Sequence, residues 1–244
     1  MRLSLVLLLI VMAFFGPTRA PAADATAARL AALEARVNAI EDGNSIERLI
    51  RAYGYYFDKG LWSETTTLFA DDAVVEIAQR GIYRGRASIE RLYVQLFGHG
   101  KACLAPNGLN NHLILQPIIS VGADGRAATG RARIIGMVAV RDGDLVLQEG
   151  LYNLKFQKRA GVWRISSLHY FGDIYVRLPA ALKQYPIPQS GASTEVPPDA
   201  PPSVTYASYP GYYLPEFPYP NPVTGKTVDV TACNAAQAPK GDSK

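Results

Sequence analysis

The 244-residue sequence has no run of lysine or arginine, and its net charge is only +4. It therefore lacks the basic patch that nucleic-acid binding requires. Past the first 22 residues no stretch is apolar enough to span a bilayer. Histidine is scarce: His99, His112 and His169 are scattered and do not form a metal site by spacing. Cysteine is limited to Cys103 and Cys233, neither with a metal-ligand partner at a useful spacing. The sequence contains no G-x-G-x-x-G, P-loop, H-E-x-x-H or G-x-S-x-G motif. The chemistry left is a reaction without metal or cofactor, or ligand binding without turnover.

What is present starts with a leader. Arg2 precedes an apolar stretch from Leu3 to Phe15, and Ala20-Pro21-Ala22 is an A-x-A cleavage site. Residues 1–22 read as a secretory signal, with an uncleaved anchor as the alternative. Cleavage leaves an exported, periplasmic or secreted protein with no membrane attachment. In that setting Cys103 and Cys233 either pair or remain free thiols, since spacing alone does not bring two Cα atoms within reach.

Residues 23–43 form an Ala-rich arm, with Leu30, Leu33, Val37 and Ile40 at three- and four-residue steps. This is a helix with a narrow apolar seam. It lies on the domain surface or serves as a dimerisation arm. Glu41-Asp42-Gly43-Asn44 is expected to end it, and Asn44 or Ser45 to cap the next helix.

The stretch Ile46–Asp72 organises the rest. Ile46, Leu49, Ile50, Tyr53 and Phe57 give one apolar helical face, and Lys59-Gly60 breaks it before a second short helix. A strand over 73–78, a short hairpin partner over 81–85 and a helix over 87–97 come next. Four long strands are expected at 110–121, 126–141, 144–158 and 161–177, separated by short Gly-containing turns. Helices followed by a meander give an α+β fold, with a curved antiparallel sheet wrapped around three helices.

From Pro179 onward the composition changes. Thirteen of the seventeen prolines lie between Pro179 and Pro239, together with seven tyrosines and phenylalanines. Loose linkers are poor in aromatics. Residues 179–244 therefore read as an extension, with about Ser208–Val223 extended against the domain or a partner subunit.

The segments IERLIRAYGYYFDKGLWSETTTLFADDAVVEI, GIYRGRASIERL, NNHLI and EGLYNLKFQKRAGVWRISSL resemble the nuclear-transport-factor-2-like superfamily, and within it the SnoaL-like group. The resemblance covers Ile46–Val176 and places a domain at 44–178. It implies a conical apolar cavity and a homodimer or homotrimer. The fold serves dehydratases, isomerases, cyclases and binding modules alike.

By the resemblance, Asp58 stands where scytalone dehydratase-like members carry an acid, and His112 where they carry its histidine partner. A His beside an Asp can move a proton near neutral pH; the bland reading is a buried, hydrogen-bonded pair kept for stability. A second histidine of that pattern is missing, with Arg131 or Arg133 in its region, and Phe57 replaces a tyrosine. Arg133 in the cavity would suit a carboxylate or phenolate; on a strand it can equally face solvent. Tyr55, Tyr56, Tyr152 and His169 complete the candidate substrate contacts. The expected substrate is a small hydrophobic aromatic or polycyclic oxygenated compound, lignin-like diaryl compounds included. The expected reaction is dehydration, another lyase step or isomerisation.

Overall fold

The computed structural model describes residues 21–105, 108–139, 145–178, 195, 197–201, 203–204, 211 and 213–235, with side chains from Asp24 onward. The signal segment up to Ala20, the Asp142-Gly143 turn and Tyr185, Tyr206, Tyr209 and Tyr212 lie outside them. The chain divides into two units, one ending at Ala39 and the other starting at Ile40. No helix among the described residues is long and apolar enough to cross a membrane.

Helix α1 runs unbroken from Pro21 to Asp58. The expected stop at Glu41–Asn44 is absent. A glycine inside a helix costs only about 1 kcal/mol, and Gly43 is offset by its neighbour. Asp42 is buried, and its Oδ1 accepts from Lys158 Nζ at 2.6 Å and Trp163 Nε1 at 2.8 Å. This contact fixes α1 to the sheet just where the sequence looks weakest.

After α1 the chain turns at Gly60, whose φ of +68° suits glycine. A Cβ there would lie 2.6 Å from the Cys103 backbone. Helix α2 (Trp62–Thr67) follows, then strand β1 (Phe69–Ile77) and strand β2 (Ile82–Arg84). Helix α3 (Gly85–Glu90) continues as a π-helical segment, Arg91–Phe97. The four long strands are β3 (Leu109–Val121), β4 (Ala127–Ala139), β5 (Leu145–Arg159) and β6 (Val162–Arg177), each within a few residues of expectation.

The sheet order is β2-β1-β6-β5-β4-β3. All pairs are antiparallel except β1 with β6, which is parallel. Helix α1 and the π-helical segment pack on its inner face, where Ile50, Tyr53, Tyr93, Tyr152, Phe156 and Ile165 form part of one buried cluster. Strand β3 breaks register between Leu115 and Ile118. Gln116 there adopts φ +51°, and Pro117 has no N–H for the ladder. The bulge swaps faces: Asn110 and His112 are buried before it, Gln116 within it is exposed, and Ile119 and Val121 pack on the core after it.

Within the extension, residues 213–235 pack on the domain. Asn221 is fully buried and donates from Nδ2 to Glu64 Oε2 at 2.7 Å and Thr67 Oγ1 at 2.9 Å. Phe217 stands against Tyr55 and Tyr56. A short helix α4 (Thr231–Ala235) carries Cys233, which is disulfide-bonded to Cys103 across 130 residues. A bridge closing so long a loop contributes about 2–5 kcal/mol by restricting the unfolded chain.

Burial alone would raise the Asp42 pKa. The Lys158 and Trp163 hydrogen bonds and the Lys158 charge outweigh it and hold the carboxyl below its ordinary 3.8. Its stabilisation is complete above that value and is lost as pH falls through the lower folded one. Asp42→Ala, which leaves the Trp163 N–H unpaired, is expected to cost about 1–3 kcal/mol in urea denaturation at pH 7. The gap between variant and wild type is expected to shrink below pH 3.8.

Candidate active site

Asp58 is the last residue of α1 and His112 the fourth of β3. Both are buried. His112 Nδ1 lies 2.7 Å from Asp58 Oδ1, and the His112 backbone N–H donates to both carboxylate oxygens at 2.9 Å. The carboxylate thus holds one residue by backbone and ring together. This arrangement selects the tautomer with the proton on Nδ1 and leaves the Nε2 lone pair free to accept.

What meets Nε2 is Gln148, whose amide Nε2 lies at 2.5 Å and donates to it. Register explains the contact. Gly136 of β4 sits beside His112 on one side and beside Gln148 on the other. A Cβ on Gly136 would lie 3.0 Å from both the His112 ring and the Gln148 amide. The missing side chain is what lets strands β3 and β5 touch across β4. Sequence reasoning passed over Gln148 and Gly136. The signals were present: Gln148 extends by two residues the alternation of Gly150, Tyr152 and Leu154, and a glycine in mid-strand marks close approach.

Phe57 covers the pair from the helix side, its ring 5.1 Å from His112. The Asn110 amide reaches the Phe57 carbonyl at 3.5 Å. Beyond Phe57 lies a group of buried phenols. The Tyr53 and Tyr93 hydroxyls are 3.0 Å apart, and the Tyr152 ring meets Tyr53 edge-on. Burial pushes Tyr53, Tyr93 and Tyr152 well above the ordinary phenol range. The Asp58 charge adds to the shift at Tyr53 and Tyr152. These phenols therefore remain protonated and can only donate or exchange neutral hydrogen bonds.

The other sequence candidates lie elsewhere. Tyr152 faces inward as expected, one ring away from the dyad, against Tyr53 and Tyr170. Tyr55 is 58% exposed and leans on Phe217, while Tyr56 is fully buried beneath the same residue. Neither reaches the dyad, because the inward face of α1 belongs to Tyr53 and Phe57. Arg133 points out of the sheet and pairs with Glu149. Strand alternation puts the odd-numbered β4 residues on the outer side, so its placement in the cavity is corrected. His169 is likewise outward, 3.6 Å from Glu76 and stacked on Phe171, with Tyr170 taking the inner position. Two open clefts, of about 530 and 540 Å³, lie away from the dyad. The first adjoins Asp42 and Trp163, and the second adjoins Ile118, Asn153 and His169 on the outer sheet face.

Helices packed on a bulged, six-stranded mixed sheet agree with the comparison to known families. Residues 38–169 match the SnoaL-like domain, which is more than half of the chain. The chain belongs to the SnoaL-like domain family.

Solved structures of the same fold include a putative scytalone dehydratase from Novosphingobium aromaticivorans, with 17% identity and a TM-score of 0.50. That alignment covers 59% of this chain and 92% of the other. A hexachlorocyclohexane dehydrochlorinase, LinA-type3, from Novosphingobium barchaimii is also 17% identical, with a TM-score of 0.51 and coverage of 59% and 94%. No curated protein matches the chain in sequence. At these identities the structures establish the SnoaL-like fold alone; the part of the chain outside the match includes much of the arm and the tail.

The buried phenols give this SnoaL-like protein an alkaline signature. Tyr53, Tyr93 and Tyr152 contribute stability that is complete below the unfolded phenol value of 10.0 and is lost as pH rises toward their folded values. Tyrosinate absorbance on titration past pH 10.0 should lag behind that of the urea-unfolded chain by at least these three residues, then jump when the fold opens.

Proposed function

We propose that this protein is a cofactor-independent lyase or isomerase that moves a proton at His112 Nε2, with Asp58 orienting the ring. The observation that carries the proposal is the buried Asp58–His112 contact at 2.7 Å, locked by the backbone bonds to the same carboxylate. A base held in one tautomer beside a fixed carboxylate can take a proton from carbon, and the imidazolium that forms is stabilised by the charge next to it. In elimination, the C–H electron pair becomes the new double bond while the C–O bond breaks. The imidazolium returns its proton to the departing hydroxyl, which leaves as water. In isomerisation the same proton returns to a different carbon.

Substrate entry has a local requirement. The Nε2 lone pair is occupied by the Gln148 amide, so a substrate C–H must displace it. The freed amide can then donate to a substrate oxygen. The ring of Phe57 and the apolar inner sheet favour an aromatic or polycyclic compound; lignin-like diaryl compounds fall within that class. The disulfide supports export to an oxidising compartment, where such bonds persist.

A second reading, a ligand-binding or scaffolding module without turnover, has one observation in its favour. The Nε2 atom already has a partner, and two open clefts among the described residues lie away from it. The two readings separate in deuterium oxide. The panel would comprise phenolic alcohols, diaryl propanes and steroid-like ketones, followed by mass spectrometry for product or incorporated deuterium. Wild type should act on at least one compound. His112→Ala and Asp58→Asn should each slow it by about 10²–10⁴-fold, the usual worth of a general base. Undiminished rates in both variants would remove the dyad from the chemistry, and inert wild type across the panel would favour the binding module.

A further inference from the structure

The first half of α1 carries a pattern that the domain does not use. Leu30, Leu33, Val37 and Ile40 are 48–63% exposed. Their 3-4 spacing is that of a heptad seam, with Leu30, Val37 and Asn44 at one core position and Thr26, Leu33 and Ile40 at the other. Within the domain unit the seam turns outward: Ile40 and Asn44 are exposed, while Asp42, Ile46 and Leu49 are buried. Tertiary packing of the domain therefore leaves these seam positions open.

The flanking charges say what covers the seam. Arg29 and Arg36 occupy the position just before each Leu30-type residue, and Glu34 and Glu41 the position just after each Leu33-type residue. In a parallel pair of identical helices, a residue before one core position faces the residue five further on in the partner. That rule sets Arg29 against the second copy's Glu34, and Arg36 against the second copy's Glu41. Antiparallel pairing would set Arg against Arg and Glu against Glu. Arg29, Glu34, Arg36 and Glu41 make no ion pair with other described residues. The aliphatic seam is mixed, with Val37 over Leu33 but Leu30 and Ile40 beside them, so the strand number and register are set by the single polar Asn44 at the first core position.

We infer that residues 23–44 form a parallel two-stranded coiled coil with a second copy of this chain. The partner is specified by the charge pattern, which is self-complementary in one orientation only. The coil joins two domains at their α1 ends and leaves the inner sheet face of each unchanged.

The test uses the mature chain with its disulfide intact. Leu33→Cys places a thiol in the seam, and Ala31→Cys places one on the opposite side as control. Under mild oxidation L33C should cross-link to a dimer at least tenfold faster than A31C. Adding R29E and R36E to L33C should abolish the cross-link, and mixing that protein with an L33C chain carrying E34R and E41R should restore it. Equal rates for L33C and A31C, or a cross-link indifferent to charge reversal, would overturn the inference. Because the seam is exposed, circular dichroism should show every variant folded, so loss of cross-linking reports on pairing.

Discussion

The Asp58 carboxylate accepts hydrogen bonds from the backbone N–H and the ring of one residue, His112, and in doing so joins the end of the main helix to the edge strand of the sheet. Much else follows from that join. Asp58 can occupy its place only if α1 stops there, and Gly60, with its left-handed φ and no room for a Cβ, enforces the stop. The same Gly60 carbonyl accepts from the Cys103 N–H at 2.9 Å, and Cys103 is tied to the tail by disulfide. A carboxylate under apolar surface would otherwise be strongly unfavourable. Here every part of its setting supplies a donor or a constraint.

The sheet side of the join depends on a gap. Gly136 leaves the space in which the His112 ring and the Gln148 amide meet across an intervening strand. The result is a polar chain, Asp58–His112–Gln148, laid along the inner face and bordered by Phe57. Polar networks in low dielectric are strong when complete and costly when broken. This one is complete in the resting protein, so a substrate must offer Gln148 a new partner when it takes the place of that amide.

Much of the fold was legible in sequence because its signals are local. Strand alternation, glycine turns and the Lys59-Gly60 break put the elements within a few residues of their places, and motif resemblance gave their arrangement. The Asp58–His112 pairing came from that resemblance. Contacts set by long-range register were not legible. Gln148 meets His112 only because two strand pairings align them on Gly136. Gln116 faces outward because of a bulge that alternation does not announce. Arg133 and His169 fall on the outer face by alternation with the buried Ala132, Ile134, Leu168 and Tyr170, once the fold decides which face is inner. The continuous helix through Gly43 was hidden because a contact from 116 residues away, Lys158 to Asp42, outweighs a local helix breaker.

The central claim is that Asp58 fixes the His112 ring with its proton on Nδ1 and its lone pair on Nε2. Nitrogen-15 NMR of the histidine rings reads this directly, with His112→Gln identifying the signal. For the neutral ring the account predicts a protonated Nδ1 and an unprotonated Nε2, with the preference lost in Asp58→Asn. A neutral His112 carrying its proton on Nε2, or a tautomer indifferent to Asp58→Asn, would contradict it.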